Sequence, residues 1–371
     1  MPSPDLYCEV RTTGGTFRDW LTVQVTQDIE TRWMRRFALT CTEVSGKFQQ
    51  RLFPGKRIDI AMAGQVVIQG GFIERRQAAF DANRHGVQIS GFSAAGPLTK
   101  VSADAGTGQF RGYPIDAIAN RLLKPHGLKF KVQNGPDGWN TPFPNVVIHD
   151  GETPFDAISR LCRQRGLWLW AEANGDLVAG SKTDSNGGGL VFSEGRNILS
   201  GNCTSEMSLA DAIKGNAQQP GSDSLFGRKA AEISAQSKLS DGIPGLTRNV
   251  LAEMPLSQKE LQLRTNMEAQ AIEASRLQVS LAYQGWLNPA GKLWDLSEFV
   301  TVESEILFPT ETAKMDLKVW GYAYTQTPEG QTTSMVELRN KAAWNVQHPD
   351  ATTSDGFFGA NPTPAQPEAS T

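Results

Sequence analysis

Leu21, Val23 and Val25 stand at every second position with polar residues between them, and Ile58, Ile60 and Met62 repeat the spacing. Period two sends alternate side chains to opposite faces of an extended chain, so both runs predict half-buried strands. Gly14-Gly15, Pro54-Gly55 and Gly70-Gly71 punctuate the region from Leu6 to Phe92 with turn and bulge signals. Short strands at this spacing predict a small antiparallel barrel or sandwich over residues 1–98.

The period changes after Gly96-Pro97. Ile115, Ile118, Ala119, Leu122 and Leu123 form one apolar stripe behind Pro114, Gly127 is placed to end the helix, and Leu128, Phe130 and Val132 alternate as a strand. The unit recurs about forty residues on. Thr153 offers an N-cap with Pro154 at the first helical position and Asp156 as the acidic half of a capping box. Phe155, Ile158, Leu161 and Cys162 make the face, Gly166 closes it, and Asn174-Gly175 turns a hairpin into Leu177 and Val178. Pro114-Ile115-Asp116-Ala117-Ile118 and Pro154-Phe155-Asp156-Ala157-Ile158 read as one motif written twice, so residues 99–183 predict an α/β domain with a duplicated helix and strand.

Residues 182–189 predict a loop. Strand signals resume around Leu190 to Phe192 and Ile198-Leu199, whereas 215–255 are rich in Ser, Ala, Gly and Gln with little periodicity and predict an extended crossing. Ser257 and Glu260 form a capping-box pair that opens a long helix through Arg276. Alternation at Leu277, Val279 and Leu281 and later at 299–302, 317–321 and 335–338 predicts a second barrel from 190–215 and 277–344, with 216–276 as linker plus helix. The tail at 345–371 predicts a disordered or partner-bound segment. The fold class is therefore α+β, mainly β: two small antiparallel β-barrel domains, an α/β middle domain, and a helical and irregular insertion.

Composition narrows the chemistry. The 371 residues carry a net charge of -3, which gives no global positive field for a phosphate backbone. Cys8, Cys41, Cys162 and Cys203 are far apart and form no C-x-x-C pair, so they predict reduced, mostly buried thiols. The start of the chain lacks a basic, apolar leader, which predicts cytoplasmic synthesis, and no window is apolar enough to insert into a bilayer. His85, His126, His149 and His348 never fall at the spacing of a helical metal site, Ser181 and Ser193 lack a nucleophile-elbow frame, and Gly187-Gly188-Gly189 is not followed by a phosphate-binding Lys. Asp150 and Glu152 beside His149 resemble an acid/base pair, but they precede a helix N-terminus, where carboxylates are favoured for structural reasons. Arg32, Arg35 and Arg36 around Trp33 and Phe37 are the nearest approach to a nucleic-acid patch, opposed by Asp28 and Glu30; subunit contact or a lumen-facing basic site is the preferred reading. Trp168 and Trp170 share one face of a strand and predict core or interface packing. No catalytic, cofactor-binding or metal residue is assigned.

The N-terminal strand region, Thr153-Pro154-Phe155-Asp156-Ala157-Ile158 ending in Arg165-Gly166-Leu167, the Asn174-Gly175-Asp176-Leu177 hairpin, and Gly285-Trp286 followed by Gly291-Lys292-Leu293-Trp294 together resemble the baseplate hub proteins of Mu-like phages, within the late control D superfamily. The resemblance covers most of residues 5–345. It implies a homotrimer in which each chain supplies two related barrels to a ring of six, matching a hexameric tail tube on one side and a trimeric central spike on the other. It also implies a non-enzymatic place in the virion tail baseplate, after synthesis in the host cytoplasm. The implied partners are tube, spike and other baseplate proteins, with the tape measure protein a further candidate; no cofactor is implied, and nucleic acid is expected only in passage through the lumen. A hub that also hydrolyses peptidoglycan is the alternative, with Asp150 and Glu152 as its test positions.

Overall fold

The computed structural model describes residues 7–29, 33–42, 52–80, 85–180, 190–218, 227, 230, 232–240, 242–252, 255–296, 298–309 and 313–340. The loop expected at 182–189 and the tail at 345–371 lie outside them.

Seven strands open the chain: β1 (Cys8–Thr12), β2 (Gly15–Phe17), β3 (Thr22–Asp28), β4 (Arg36–Cys41), β5 (Arg57–Met62), β6 (Gln65–Phe80) and β7 (His85–Phe92). The α/β unit follows with β8 (Gln109–Phe110), α1 (Ile115–Leu123), β9 (Phe130–Gln133), β10 (Val146–Val147), α2 (Pro154–Gln164), β11 (Trp168–Ala171) and β12 (Leu177–Gly180). Next come β13 (Leu190–Ser193), β14 (Ser200–Ser205), β15 (Ala210–Ala217), β16 (Ile233–Lys238), β17 (Ile243–Leu251) and α3 (Gln258–Arg276). The chain closes with β18 (Leu277–Gln284), β19 (Phe299–Glu303), β20 (Lys314–Gln326) and β21 (Thr332–Asn340).

Strand pairing reveals a duplication that hydrophobic patterning alone does not. With the small hairpin strand β2 set aside, the first module pairs in the order β1-β5-β6-β7-β4-β3 and the second in the order β13-β19-β20-β21-β18-β14. Counted by appearance within each module, both orders read first, fourth, fifth, sixth, third, second. The fifth strand is the long one in each case, and it carries a bulge at the same place: between Ile73 and Arg75 against β7, and between Val319 and Gly321 against β21. One departure is the first strand, which is antiparallel to its neighbour as β1 on β5 and parallel as β13 on β19.

The modules are joined. β3 pairs antiparallel with β20, so a single 13-stranded sheet runs from β14 to β2. This is the mainly β architecture expected; the described pairings branch at β20, which borders β21, β19 and β3, and closure of either module into a ring is not among them. The core crosses the joint, with Val23, Val25, Leu39 and Ile60 from one module and Val279, Leu281, Trp286, Trp294 and Val319 from the other in one buried cluster. Burial of each such side chain contributes about 1.5–3 kcal/mol.

The α/β unit follows its sequence signals. Ile115, Ile118, Ala119, Leu122 and Leu123 are all fully buried against Ala157, Ile158, Leu161 and Cys162. Thr153 accepts from the Asp156 backbone N–H at 3.1 Å, while its hydroxyl donates to the Asp156 carboxylate at 2.7 Å. That second bond replaces the carboxylate-to-backbone half expected of the box. α3 does carry the full box at Ser257 and Glu260.

The segment expected as an extended crossing is a correction. β16 and β17 flank β15 in a three-stranded sheet that packs on α3 through Ile213, Leu239 and Ala269, and through Ala217, Ile233 and Leu261. β15 thus leaves the second module, to which residues up to 215 had been assigned. Inward positions such as Ala212, Ala217 and Ala235 are alanines, which give period two almost no hydrophobic contrast.

Gly91 sits where β4, β6 and β7 converge, and a methyl group there would collide with the Phe72 carbonyl oxygen and the Phe37 ring. Gly91→Ala should therefore destabilise the chain by about 1–3 kcal/mol, read as a lower urea midpoint with unchanged slope.

Candidate assembly joint between the two strand modules

The joint is built on six backbone pairs, from Val23 opposite Gln326 to Asp28 opposite Gly321. Gly321 is required by close approach, since a Cβ there would lie 2.8 Å from the Asp28 Cβ. Beneath the ladder, Gln27 and Arg35 meet Tyr322. Tyr322 Oη donates to Gln27 Oε1 at 2.7 Å, and Arg35 Nε lies 3.0 Å from that oxygen and 2.8 Å from Tyr322 Oη. Arg35 Nη1 donates to the Val67 carbonyl at 2.6 Å, and Gln27 Nε2 donates to the carbonyls of Ala171 at 2.6 Å and Trp33 at 3.0 Å. One buried cluster thereby ties both modules to the α/β unit. Bonds from a charged donor contribute about 1.5–3 kcal/mol each, and an orphaned buried partner costs a similar amount. Burial pushes the Tyr322 and Tyr324 phenols above their ordinary value, which keeps both hydroxyls protonated.

A tryptophan-bearing strap between β18 and β19 closes the other side. Trp286 and Trp294 are fully buried; Trp286 Nε1 donates to the Thr325 carbonyl at 3.0 Å, and Trp294 N–H donates to Tyr324 Oη at 2.7 Å. Gln65 at the start of β6 donates to the Gly291 carbonyl at 2.8 Å and accepts from Leu293 N–H at 3.1 Å, so the strap also touches the first module. Two ionisable groups sit under it. Burial pushes Glu298 up to about 7, against the lowering effect of the hydrogen bond it accepts from the Asp295 backbone N–H. Burial draws Lys318 down to about 7; its ammonium lies 4.4 Å from the centroid of the Phe299 ring.

The residues singled out in the sequence divide between core and surface. Arg35 and Trp33 point inward, Trp33 stacking on Phe155 at 4.0 Å, while Arg36 is exposed and Arg32 and Glu30 lie outside the described residues. Among the described residues, Arg35 and Trp33 face inward while Arg36 is exposed, so these three do not share one surface patch. Trp168 and Trp170 do share a face and pack on the sheet core, Trp168 meeting Trp320 edge-on at 4.9 Å. Glu152 is held by Arg160 at 2.9 Å and accepts from the His149 backbone N–H at 3.0 Å, at the turn before α2. Among the described residues no group of three or more His, Cys, Asp and Glu is placed to hold a metal, and no helix is long and apolar enough to cross a membrane. Gln27, Gln65 and Tyr322 escaped the sequence reading, because a polar residue on a strand ordinarily marks the wet face; the alternation of Tyr322 with Tyr324 was the available signal.

The chain is similar to known proteins in sequence and in fold. Residues 8–93 match the family described as Mu phage baseplate assembly protein GpP-like, N-terminal, and residues 95–181 match baseplate hub protein gp44-like, second domain. Baseplate hub protein gp44 of Escherichia phage Mu is 24% identical over 302 residues, 80% of this chain and 78% of that protein. The likeness to Mu-like phage baseplate hub proteins is established. This hub-like chain also superposes on the 43 kDa tail protein of prophage MuSo2 from Shewanella oneidensis with a TM-score of 0.75 at 20% identity, covering 92% of this chain and 99% of that one. The c3393 protein of Escherichia coli, described as a type VI secretion component structurally similar to T4 tail proteins gp27 and gp5, aligns at a TM-score of 0.56 and 10% identity over 92% of this chain and 79% of that one. The fold is thus that of hub-like tail proteins.

Glu298 and Lys318 set a pH test. A carboxyl raised from 4.5 toward 7 contributes stability that is fully present below pH 4.5 and lost as pH rises to 7. An ammonium lowered from 10.5 toward 7 contributes stability present above pH 10.5 and lost as pH falls to 7. Glu298→Gln should remove a fall in stability between pH 4.5 and 7, and Lys318→Met a rise between pH 7 and 10.5, both measured as urea midpoints across pH.

Proposed function

We propose that this chain is the structural hub of a contractile phage tail baseplate, a homotrimer that joins the hexameric tail tube to the trimeric central spike. The carrying observation is the duplicated strand module. Two topologically equivalent modules per chain convert threefold assembly into six similar positions, which is the arithmetic an adaptor between sixfold and threefold partners needs. The similarity to baseplate proteins supports a place in the tail baseplate of a virion; on this reading other baseplate proteins are its neighbours and synthesis is in the host cytoplasm.

The mechanism is mechanical. A sheet shared across a joint, with a buried hydrogen-bonded cluster beneath it, resists the separation of modules while the tail contracts. No step needs a nucleophile or a shifted pKa, and the reading is non-enzymatic. Glu152 of the acid/base candidate is engaged by Arg160 and by the turn that precedes α2, a structural use of its charge.

Light scattering on the full chain should give three times the 40.4 kDa of one chain. A mass of one or two chains at every attainable concentration contradicts the trimer. Purified protein should leave a peptidoglycan zymogram uncleared; clearing that disappears on Asp150→Asn or Glu152→Gln would establish the hydrolytic alternative.

A further inference from the structure

The two modules can be aligned residue by residue through their bulges. Gly91 pairs with Ile73 before the first bulge and with Phe37 on its other side, and Phe37 pairs with Val25. Leu338 pairs with Val319 before the second bulge and with Val279 on its other side, and Val279 pairs with Cys203. Val25 in β3 thus corresponds to Cys203 in β14, and Gly321 in β20 corresponds to Arg75 in β6. Within the chain, β3 of the first module lies against the outer half of β20 of the second. The reverse joint would put β14 of the second module against the outer half of β6 of a first module, and one chain does not make it: in the described pairings β14 borders only β18, and β6 borders only β7 beyond Phe72.

We infer that β14 of one copy pairs antiparallel with Arg75–Phe80 of β6 in the next copy, repeating the intrachain joint around the ring. This rests on the trimeric reading proposed above and names its contact surface. Transferring the intrachain register sets Glu206 opposite Arg75, as Asp28 stands opposite Gly321, and Asn202 opposite Ala79, as Gln24 stands opposite Thr325. Opposite charges therefore meet across the new joint. The surfaces suit burial. Five of the six residues of β14 are exposed, and so are Arg75 and Gln77 to Phe80 on β6. Leu199 is 57% exposed and Met207 58% at the two ends of β14, and Phe80 is 87% exposed at the end of β6, apolar area that a neighbouring copy would cover. A strand with an open edge is a template for another chain, and here the fold itself supplies the matching edge. Each contact is heterologous, so three copies close a ring without leaving either edge open.

The full chain carrying Asn202→Cys and Ala79→Cys tests the register, because directly opposite positions lie about 4.5–5.5 Å apart at Cβ. Mild oxidation should give reductant-sensitive dimers and trimers on denaturing gels, and the offset pair Ser205→Cys with Ala79→Cys should give several-fold less. Glu206→Arg should shift half-assembly to several-fold higher concentration in light scattering, and adding Arg75→Glu to the same chain should restore it. A trimeric mass without cross-linking, or with equal cross-linking of the offset pair, overturns this strand pairing and leaves the trimer standing. A trimeric mass untouched by Glu206→Arg overturns the register. A monomeric mass throughout overturns the trimer and the pairing with it.

Discussion

The antiparallel pairing of Val23–Asp28 with Gly321–Gln326 puts the beginning and the end of the chain on one sheet, and the rest of the molecule is arranged to hold that register. A one-residue slip would send every side chain of β3 to the opposite face, moving Val23 and Val25 out of the core and Gln27 away from Tyr322. The buried cluster of Gln27, Arg35 and Tyr322 resists such a slip, because its donors and acceptors match only one alignment. It also draws the α/β unit against the joint through the Ala171 carbonyl. Three parts of the structure are thereby fixed by one set of hydrogen bonds, three of them from a guanidinium that would be costly to leave unpaired.

Much of the local structure was legible in the sequence. Period two located β3, β5 and β18; caps and glycines located α1, α2 and α3; and the alternation of Trp168 with Trp170 predicted their common face. Those signals are local, set by one residue against its near neighbours. The pairing of β3 with β20 is not local, and no periodicity says which strand lies beside which. Shared topology became visible only once the pairs were known, because the modules have diverged in composition: Val23 and Val25 of β3 correspond to Gly201 and Cys203 of β14. The strands of the small sheet on α3 were missed because alanine and serine carry little contrast. Arg35 was set among candidate surface residues since arginine is seldom buried, and only its partners on distant strands make an interior place tolerable. The family resemblance, drawn from turns, caps and buried tryptophans, rested on features that the structure places at the strap and the helix ends.

Each long strand, β6 and β20, is split in use by its bulge. The half before the bulge shares its outer edge with its own module, β5 or β19, and the half after it turns that edge outward. In β20 the outward half has been taken up by β3, with apolar side chains on the buried face; in β6 it runs Arg75-Arg76-Gln77-Ala78-Ala79-Phe80 and is exposed at every position but the half-buried Arg76. The same geometry therefore serves a permanent contact at one place and a soluble edge at the other, the difference lying in side chains alone.

The intrachain joint forms as a first-order event. Its two strands are tethered by a covalent chain, so they meet at an effective concentration fixed by that chain and independent of how much protein is present. An identical joint made between separate molecules would be second order and would wait on supply. A polypeptide that built one kind of seam in both ways would have a built-in order of events: every copy would finish its own third of the ring before copies were sewn together, and incomplete rings would be confined to conditions in which the protein is scarce.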